Sequence, residues 1–474
     1  MRQVVRRFAV LGSSSLLTQL IAFGALAYAA RRVGPANLGA YSVVLSLVTF
    51  LSLPISLGIT AVGTRDMAQA PERARTVAGE VFALQLAFAL CGYGLVVLLA
   101  PVIAPTAAMR RLFPIVGLFL LTGTSFEWAL QALGRMRDVA VARIAGQLLF
   151  GALVPVLVVG GLHGMERYAW LMIGGLALKH LLTTAALIRC SGPPRLLATH
   201  ARLRRRLRQS LPMGYASVML QVYGTIDQIM LGYLSSSFDA GEYAAANRIP
   251  SALLTFSGSW LAVVFPHSAA VAATDRRRLR VDAGRMLLAV AGLAVPLACC
   301  TPFVARGLMA AAFGSQYGSA GTAFALLVVT VALGLLDGTL TTIVMGLGGD
   351  RRYARAITLT ALLNLVVNIA VIPLFGRNGA AVVTIVSEAL LFSMLARSAW
   401  GLLGGIEIEW WRLQRIVLAT FPAVFALVAV PDSVSVWLRI LIGAVAYLTA
   451  AAFAGVVTPR EARAVLAPTP PDMR

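Results

Sequence analysis

Charge is what this 474-residue sequence has least of. Only 12% of its residues are Asp, Glu, Lys or Arg, about half the share of an ordinary soluble domain, which is roughly 25%. Lysine is almost missing: Lys179 stands against 39 arginines. The four cysteines, Cys91, Cys190, Cys299 and Cys300, have neither metal-ligand spacing nor the pattern of an extracellular disulfide framework, and read as small apolar fillers. No GxxxxGK[ST] phosphate loop is present, which excludes direct drive by ATP. With no cluster of metal-ligand residues either, neither a metal nor a cofactor is expected, and the chain does not read as an enzyme.

What fills the sequence instead is apolar: 59% of residues are hydrophobic, in runs of 18 or more along the whole length. Such runs read as membrane spans, here placed at 8–30, 39–62, 77–100, 112–133, 139–162, 168–189, 210–234, 242–265, 286–305, 318–346, 355–374, 379–402, 415–430 and 435–456. The thirteenth is short, so the expectation is an all-α polytopic membrane protein with 12–14 transmembrane helices. The N-terminal stretch has a basic start and an AYA triplet, as a signal peptide has. Its apolar part is over 20 residues long and more spans follow at once, so it reads as a retained first helix.

The basic residues then orient the chain. With the N-terminus in the cytoplasm, 30 of the 40 fall in inner segments and 8 in outer ones; Lys179 and Arg248 lie within spans. That bias puts both termini on the cytoplasmic side, in a chain expected in the cytoplasmic (inner) membrane. It also accounts for the net charge of +21 without a nucleic acid. The run RLRRRLR (202–208) reads as an orientation signal or as a contact for anionic lipid headgroups. All outer loops are short, and none is long enough to house a catalytic domain. The longest linker, 190–209, is basic and contains SGPP, the composition of a flexible joint.

Residues 6–41 laid over 208–243 without a gap, a shift of 202, match at six of 36 positions: Arg6/Arg208, Gly12/Gly214, Ser15/Ser217, Gln19/Gln221, Gly39/Gly241 and Tyr41/Tyr243. Each segment opens a half of the chain: a span, a hairpin, then a second span. Six spans separate the two, so the halves share one orientation, as parallel repeats do. The expected organisation is an N-terminal six-helix bundle (1–189), a basic linker (190–209), a C-terminal six-helix bundle (210–402), and an additional helix pair with a tail (403–474). The crevice between two such bundles is the default transport site.

Four stretches carry a family resemblance: GPANLGAYSVVLSLVTFLSLPISLGITAVGTRDMAQ (34–69), SFEWALQALGRMRDVAVARI (125–144), DQIMLGYLSSSFDAGEYAAANRI (227–249) and GRNGAAVVTIVSEALLFSMLAR (376–397). In this order they resemble the bacterial polysaccharide-repeat-unit flippases of the multidrug/oligosaccharidyl-lipid/polysaccharide exporter superfamily. The resemblance implies a V-shaped pair of bundles. It also implies movement of a lipid-linked oligosaccharide from the inner to the outer leaflet, with membrane lipids and a polysaccharide polymerase as partners.

An ionisable side chain at the bilayer centre costs roughly 2.5–3.5 kcal/mol on insertion scales, so those within spans face a cavity or a partner. Asp227 and Arg248 flank one outer hairpin at similar depth, about 12 and 10 Å inward at roughly 1.5 Å per residue. They read as a fixed bridge, or as a switch in which Arg248 holds a diphosphate oxygen and Asp227 takes a proton or sodium ion. Lys179, near mid-membrane, reads as an anion ligand or as the partner of an acid such as Glu127 or Asp337. Glu127 lies nearer the cytoplasmic end, where Arg135 or Arg137 is the expected partner. His180 faces away from Lys179 and reads as a helix contact. Glu388 and Asp337 are further candidates for ion coupling. Gln19, Gln221, Asn364 and Asn368 are candidates for the cavity wall, the asparagines sharing one helix face at i, i+4 or serving as interhelical glue. Arg65, in the loop after the second span, is a gating candidate or a solvated turn. Rival readings are a drug/cation antiporter of the same superfamily and a membrane polysaccharide polymerase or ligase. The first is disfavoured by Gln19 standing in span one where many antiporters carry an acid. The second is disfavoured by the short outer loops.

Overall fold

The computed structural model describes residues 2–56, 58–195, 200–254 and 275–456. All regular structure among them is helical, as a hydrocarbon layer that offers no partner to free backbone groups requires. The described chain forms two compact units, residues 1–245 with 361–380, and 246–360 with 381–474.

The first unit opens with α1 (Arg2–Val33) and α2 (Pro35–Leu51). Gly34, at φ 80°, makes the reversal between them, and Pro35 starts α2 where no intrahelical donor is needed. Short α3 (Leu53–Ser56) and α4 (Ile59–Gln69) lead into α5 (Ala74–Ile103). The next span is broken into α6 (Ala107–Gly117), α7 (Phe119–Thr122) and α8 (Glu127–Ala132), and α9 (Met136–Leu157) and α10 (Gly161–Ser191) follow. Then come α11 (His200–Leu234) and α12 (237–254). The second unit continues with α13 (Arg276–Phe313), α14 (Gly321–Gly346), α15 (Asp350–Leu403), α16 (Trp410–Ala429) and α17 (Val436–Phe453), with part of α15 belonging to the first unit.

Ten helical stretches among the described residues are long and apolar enough to cross a membrane. The chain is thus a multi-pass membrane protein. α1 and α11 lie where the first and seventh spans are expected, and α15 covers the eleventh and twelfth together. Its two halves are separated at Gly376, where φ 53° and ψ −138° leave the helical region. Part of the eighth expected span lies outside the described residues. Large apolar side chains stand outward, among them Leu98, Phe425 and Phe453, as lipid rather than water demands.

Close approach of backbones holds the first unit. α9 and α10 cross at Gly146 and Gly175, where a methyl group added to either would lie 2.4 or 2.6 Å from the other's carbonyl oxygen. Small residues at helix crossings substitute van der Waals contact for the hydrophobic force that lipid cannot supply. A core of Ile59, Met67, Val81, Trp128, Leu130 and Leu187 lies within it, and Leu203 and Leu207 of α11 pack against that core.

The linker is docked rather than loose where it is described. Arg195 donates its backbone N–H to the Arg75 carbonyl at 2.9 Å, and Arg75 Nε donates to the Pro193 carbonyl at 3.0 Å. Gly79 lets this strand of chain lie directly on α5: a methyl there would sit 1.8 Å from the Arg195 carbonyl oxygen. The SGPP composition signals a turn, but not the helix surface that receives it.

Gly175→Val is expected to destabilise the protein by about 1–3 kcal/mol through overpacking. Gly174→Ala, whose added carbon meets nothing within 4 Å, should leave it unchanged. Thermal melting of the detergent-solubilised variants checks the contrast.

Candidate functional site

Within the first unit, one acid gathers two cations. Glu127, at the start of α8, accepts from Arg143 Nε of α9 at 2.8 Å and also from Arg143 Nη2. Lys179 Nζ of α10 lies 3.5 Å from Glu127 Oε2, and Gln131 Nε2 donates to Oε1, the oxygen Arg143 holds, at 3.3 Å. Arg143 Nη1 reaches Ser15 Oγ of α1 at 3.2 Å. The crossing at Gly146 and Gly175 sets the geometry, since it brings the first turns of α9 beside Lys179. One carboxylate faces two cations, so the cluster keeps a formal charge of +1, half-buried among apolar helices. Lys179 thus has the acid partner that was one of its two expected readings. The partner of Glu127 is Arg143 rather than Arg135 or Arg137; Arg135 pairs instead with Asp138 at 2.7 Å. His180 turns its Nε2 to Thr124 Oγ1 at 3.4 Å, a helix contact.

A second cluster joins α11, α12 and α15. Asp227 is buried, and its oxygens accept from Tyr243 Oη at 3.0 Å and Asn368 Nδ2 at 2.7 Å. Asn368 also donates to Asn364 Oδ1 at 3.1 Å, and both asparagines are fully buried. Asn364 and Asn368 thus face the acid on α11, one turn apart as their spacing implies. Asp227 thus accepts hydrogen bonds from a tyrosine and an asparagine. Arg248 is exposed on α12. The hairpin argument matches depth along the axis and carries no information on rotation about it. Tyr243 lies one turn nearer the hairpin tip than Asn247 and points at Asp227, whereas Arg248 presents another face.

In the second unit, Asp337 of α14 is buried and lies within electrostatic reach of half-buried Glu388 of α15, with Tyr353 beside both. Two of the sequence candidates are therefore brought together. Gln19 and Gln221 are each half-buried on their helices, α1 and α11.

Two ion clusters mark the ends of the first unit. At one end Arg206 of α11 is buried. It pairs with Glu80 of α5 through Nη2 at 2.7 Å and with Asp66 of α4 through Nη1 at 3.2 Å. Arg65 is exposed, reaching Asp66 at 3.3 Å. The run RLRRRLR is therefore amphipathic: Leu203, Leu207 and Arg206 face the bundle, while the neighbouring arginines remain outside. At the opposite end Arg377 pairs with Asp239 and, through Nε at 2.7 Å, with fully buried Glu242. Ser235 Oγ donates to Asp239 at 2.6 Å. Sequence reasoning missed Arg143, Arg206, Glu80, Asp239, Glu242 and Arg377. The available signal was the scarcity of acids: with 19 in the chain against 39 arginines, an acid near a span end is a ready arginine partner.

A family model described as "Polysaccharide biosynthesis protein" matches residues 4–271, more than half of the chain. The chain belongs to that family. Its resemblance motifs at 34–69, 125–144 and 227–249 all fall inside the matched region. A curated relative, the probable flippase AglR of Haloferax volcanii, is 28% identical over 173 residues, and the match spans 35% of this chain and 36% of that protein. Among solved structures, the fold is similar to that of the lipid II flippase MurJ in an inward closed conformation, at 13% identity. That match has a TM-score of 0.76 and covers 94% of this chain and 98% of the other. It is also similar to an inward-facing multidrug resistance MATE family transporter of the MOP superfamily, at 14% identity and TM-score 0.64, covering 81% and 95%. At these identities the structural matches carry the fold.

Removing one partner of a buried bridge leaves a bare charge. Arg206→Ala and Glu80→Ala should each cost about 3–5 kcal/mol, whereas Arg206→Met with Glu80→Leu should be near neutral. Melting of the solubilised variants reads the non-additivity.

Proposed function

We propose that this protein is a flippase. It moves an oligosaccharide linked to an undecaprenyl-type diphosphate from the inner to the outer leaflet of the cytoplasmic membrane, by alternating access of two six-helix bundles within a fourteen-span fold. The export serves surface polysaccharide synthesis (exopolysaccharide, capsule or O-antigen), with a polymerase as downstream partner. The observation that carries this reading is the under-neutralised cation pair Arg143 and Lys179 around the single acid Glu127, within a member of a polysaccharide biosynthesis family. A transporter of neutral or cationic drugs has no use for a surplus cation among apolar helices; a carrier diphosphate does. Arriving phosphates compete with Glu127 for Lys179. Arg248, exposed on α12, supplies a further anion ligand, and Gln19 and Gln221 meet sugar hydroxyls.

Asp227 with Asn364, Asn368 and Tyr243 forms a set of oxygens rich enough for a sodium ion or a proton. The side-chain oxygen of Asn368 is buried without a hydrogen bond, so an ion entering there meets an acceptor already desolvated. The Asp337–Glu388 pair is the second place for a coupling proton. Arg65 acts at the inner entrance.

The antiporter reading rests on the MATE-like fold. The two separate in the cell. In a deletion strain, lipid-linked repeat units should accumulate on the cytoplasmic leaflet. Lys179→Ala and Arg248→Ala should each lower surface polysaccharide at least tenfold at normal membrane levels. Normal glycan in both, or drug sensitivity with normal glycan on deletion, overturns the flippase reading.

A further inference from the structure

A second internal match, at a different shift, appears where each half of the chain ends. Residues 75–80, RTVAGE, open α5, and residues 280–285, RVDAGR, lie near the start of α13. At a shift of 205 they share Arg75/Arg280, Ala78/Ala283 and Gly79/Gly284. Each sextet receives the chain that leaves the last helix of its own half. α10 stops against Gly192, at φ 83°, and α15 against Gly404, at φ 72°. Three residues further on, Arg195 donates its backbone N–H to the Arg75 carbonyl at 2.9 Å, and Glu407 donates to the Arg280 carbonyl at 3.3 Å. The two arginines return a bond each. Arg75 Nε donates to the Pro193 carbonyl at 3.0 Å, and Arg280 Nε to the Leu403 carbonyl at 2.7 Å. A methyl on Gly79 would lie 1.8 Å from the Arg195 carbonyl oxygen, and one on Gly284 would lie 1.9 Å from the Glu407 carbonyl oxygen. The received segments themselves, GPPR (192–195) and GGIE (404–407), share only their glycine. Each contact lies within one compact unit.

We infer that these segments are a pair of straps: each ties the third span of its half to the end of the sixth, and both stay closed while the halves move. Their role in that motion rests on the flippase reading above. Three observations mark a tie that stays closed. First, the strap side of each contact is backbone, which explains how two unlike segments make the same one. An arginine hook and a glycine notch on the receiving helix are all it needs. Second, the chain beyond each strap is held on the same helix. Leu203 and Leu207 pack on the core that includes Val81 and Leu84 of α5, and Ile408 and Leu413 on the core that includes Leu288 and Ala291 of α13. Third, the residue after each notch is charged, and the chain beyond the strap brings the opposite charge to it. Glu80 meets Arg206 at 2.7 Å, and Arg285 meets Glu409 at 4.0 Å. The signs are exchanged between the halves. A strap laid on the wrong half would set arginine against arginine, or acid against acid, so each fits its own. Any pull along the linker 190–209 is then shared between α5 and α10 instead of falling on the last turn of α10.

The side chains of Arg195 and Glu407 are exposed, as are those of Glu72 and Arg277, which are equivalent under the shift of 205 and precede the hooks by three residues. In a background with the four native cysteines replaced by serine, Glu72→Cys with Arg195→Cys, and Arg277→Cys with Glu407→Cys, are bridged in cells by a short, membrane-permeant, reducible bis-thiosulfonate. With both straps bridged, export of surface glycan should stay within twofold of its value after reduction. A tenfold loss that reduction restores overturns the straps, because they then open during the cycle. Bridging yield in isolated membranes needs no substrate. Gly79→Val should lower the yield of the first pair at least fivefold and leave that of the second unchanged, and Gly284→Val should do the reverse. Yields that do not respond, or that fall together, overturn the straps. Normal glycan export in a deletion strain counts against the flippase reading instead, and the yields alone then decide whether the straps exist.

Discussion

A hydrocarbon layer does not solvate charge, and nearly every polar feature of this protein follows from that constraint. With few charges to place, the chain spends them at the ends of helices and in small closed groups within them. Glu127 collects Arg143 and Lys179, Asp227 collects Tyr243 and Asn368, and Arg206 and Arg377 each hold two acids at the ends of the first unit. A buried ion pair adds little net stability over an apolar contact of the same shape, but breaking it costs several kcal/mol. Such groups therefore fix which surfaces meet more than they raise the stability of the whole.

Where charge is absent, the helices rely on proximity. Gly146 against Gly175, and Gly39 against Gly241, bring backbones to distances that a single methyl would forbid. The two crossings differ in their surroundings. The first joins successive helices of one half. The second joins equivalent points of the two halves, with polar clamps on one side of it only.

The spans were legible in the sequence because apolar runs of this length have few other uses. The expected repeat rested on six identities, and one of them, Gly39/Gly241, marks a physical contact between the two segments. The i, i+4 spacing of Asn364 and Asn368 placed both on the face that meets Asp227. Rotation about helix axes was not legible. Depth alone set Arg248 at the level of Asp227 and gave no sign of Tyr243 and Asn368, which donate to that acid. Composition alone described 190–209 as a joint, whereas Arg75 and Gly79 receive Pro193 and Arg195 of it on α5. Partners far apart in sequence, such as Arg206 with Glu80 or Arg377 with Glu242, are set by helix packing that a linear pattern does not carry.

The central claim is that a surplus cation within the first bundle exists to meet the diphosphate of a lipid-linked glycan. Proteoliposomes containing the purified protein and a fluorescent oligosaccharide on a polyprenyl diphosphate test it directly, with leaflet exchange read by an impermeant quencher. Exchange should depend on protein, and should be lost in Lys179→Ala and Arg143→Ala. Equal exchange in the variants, or none in the wild type under an imposed sodium or proton gradient, would contradict it.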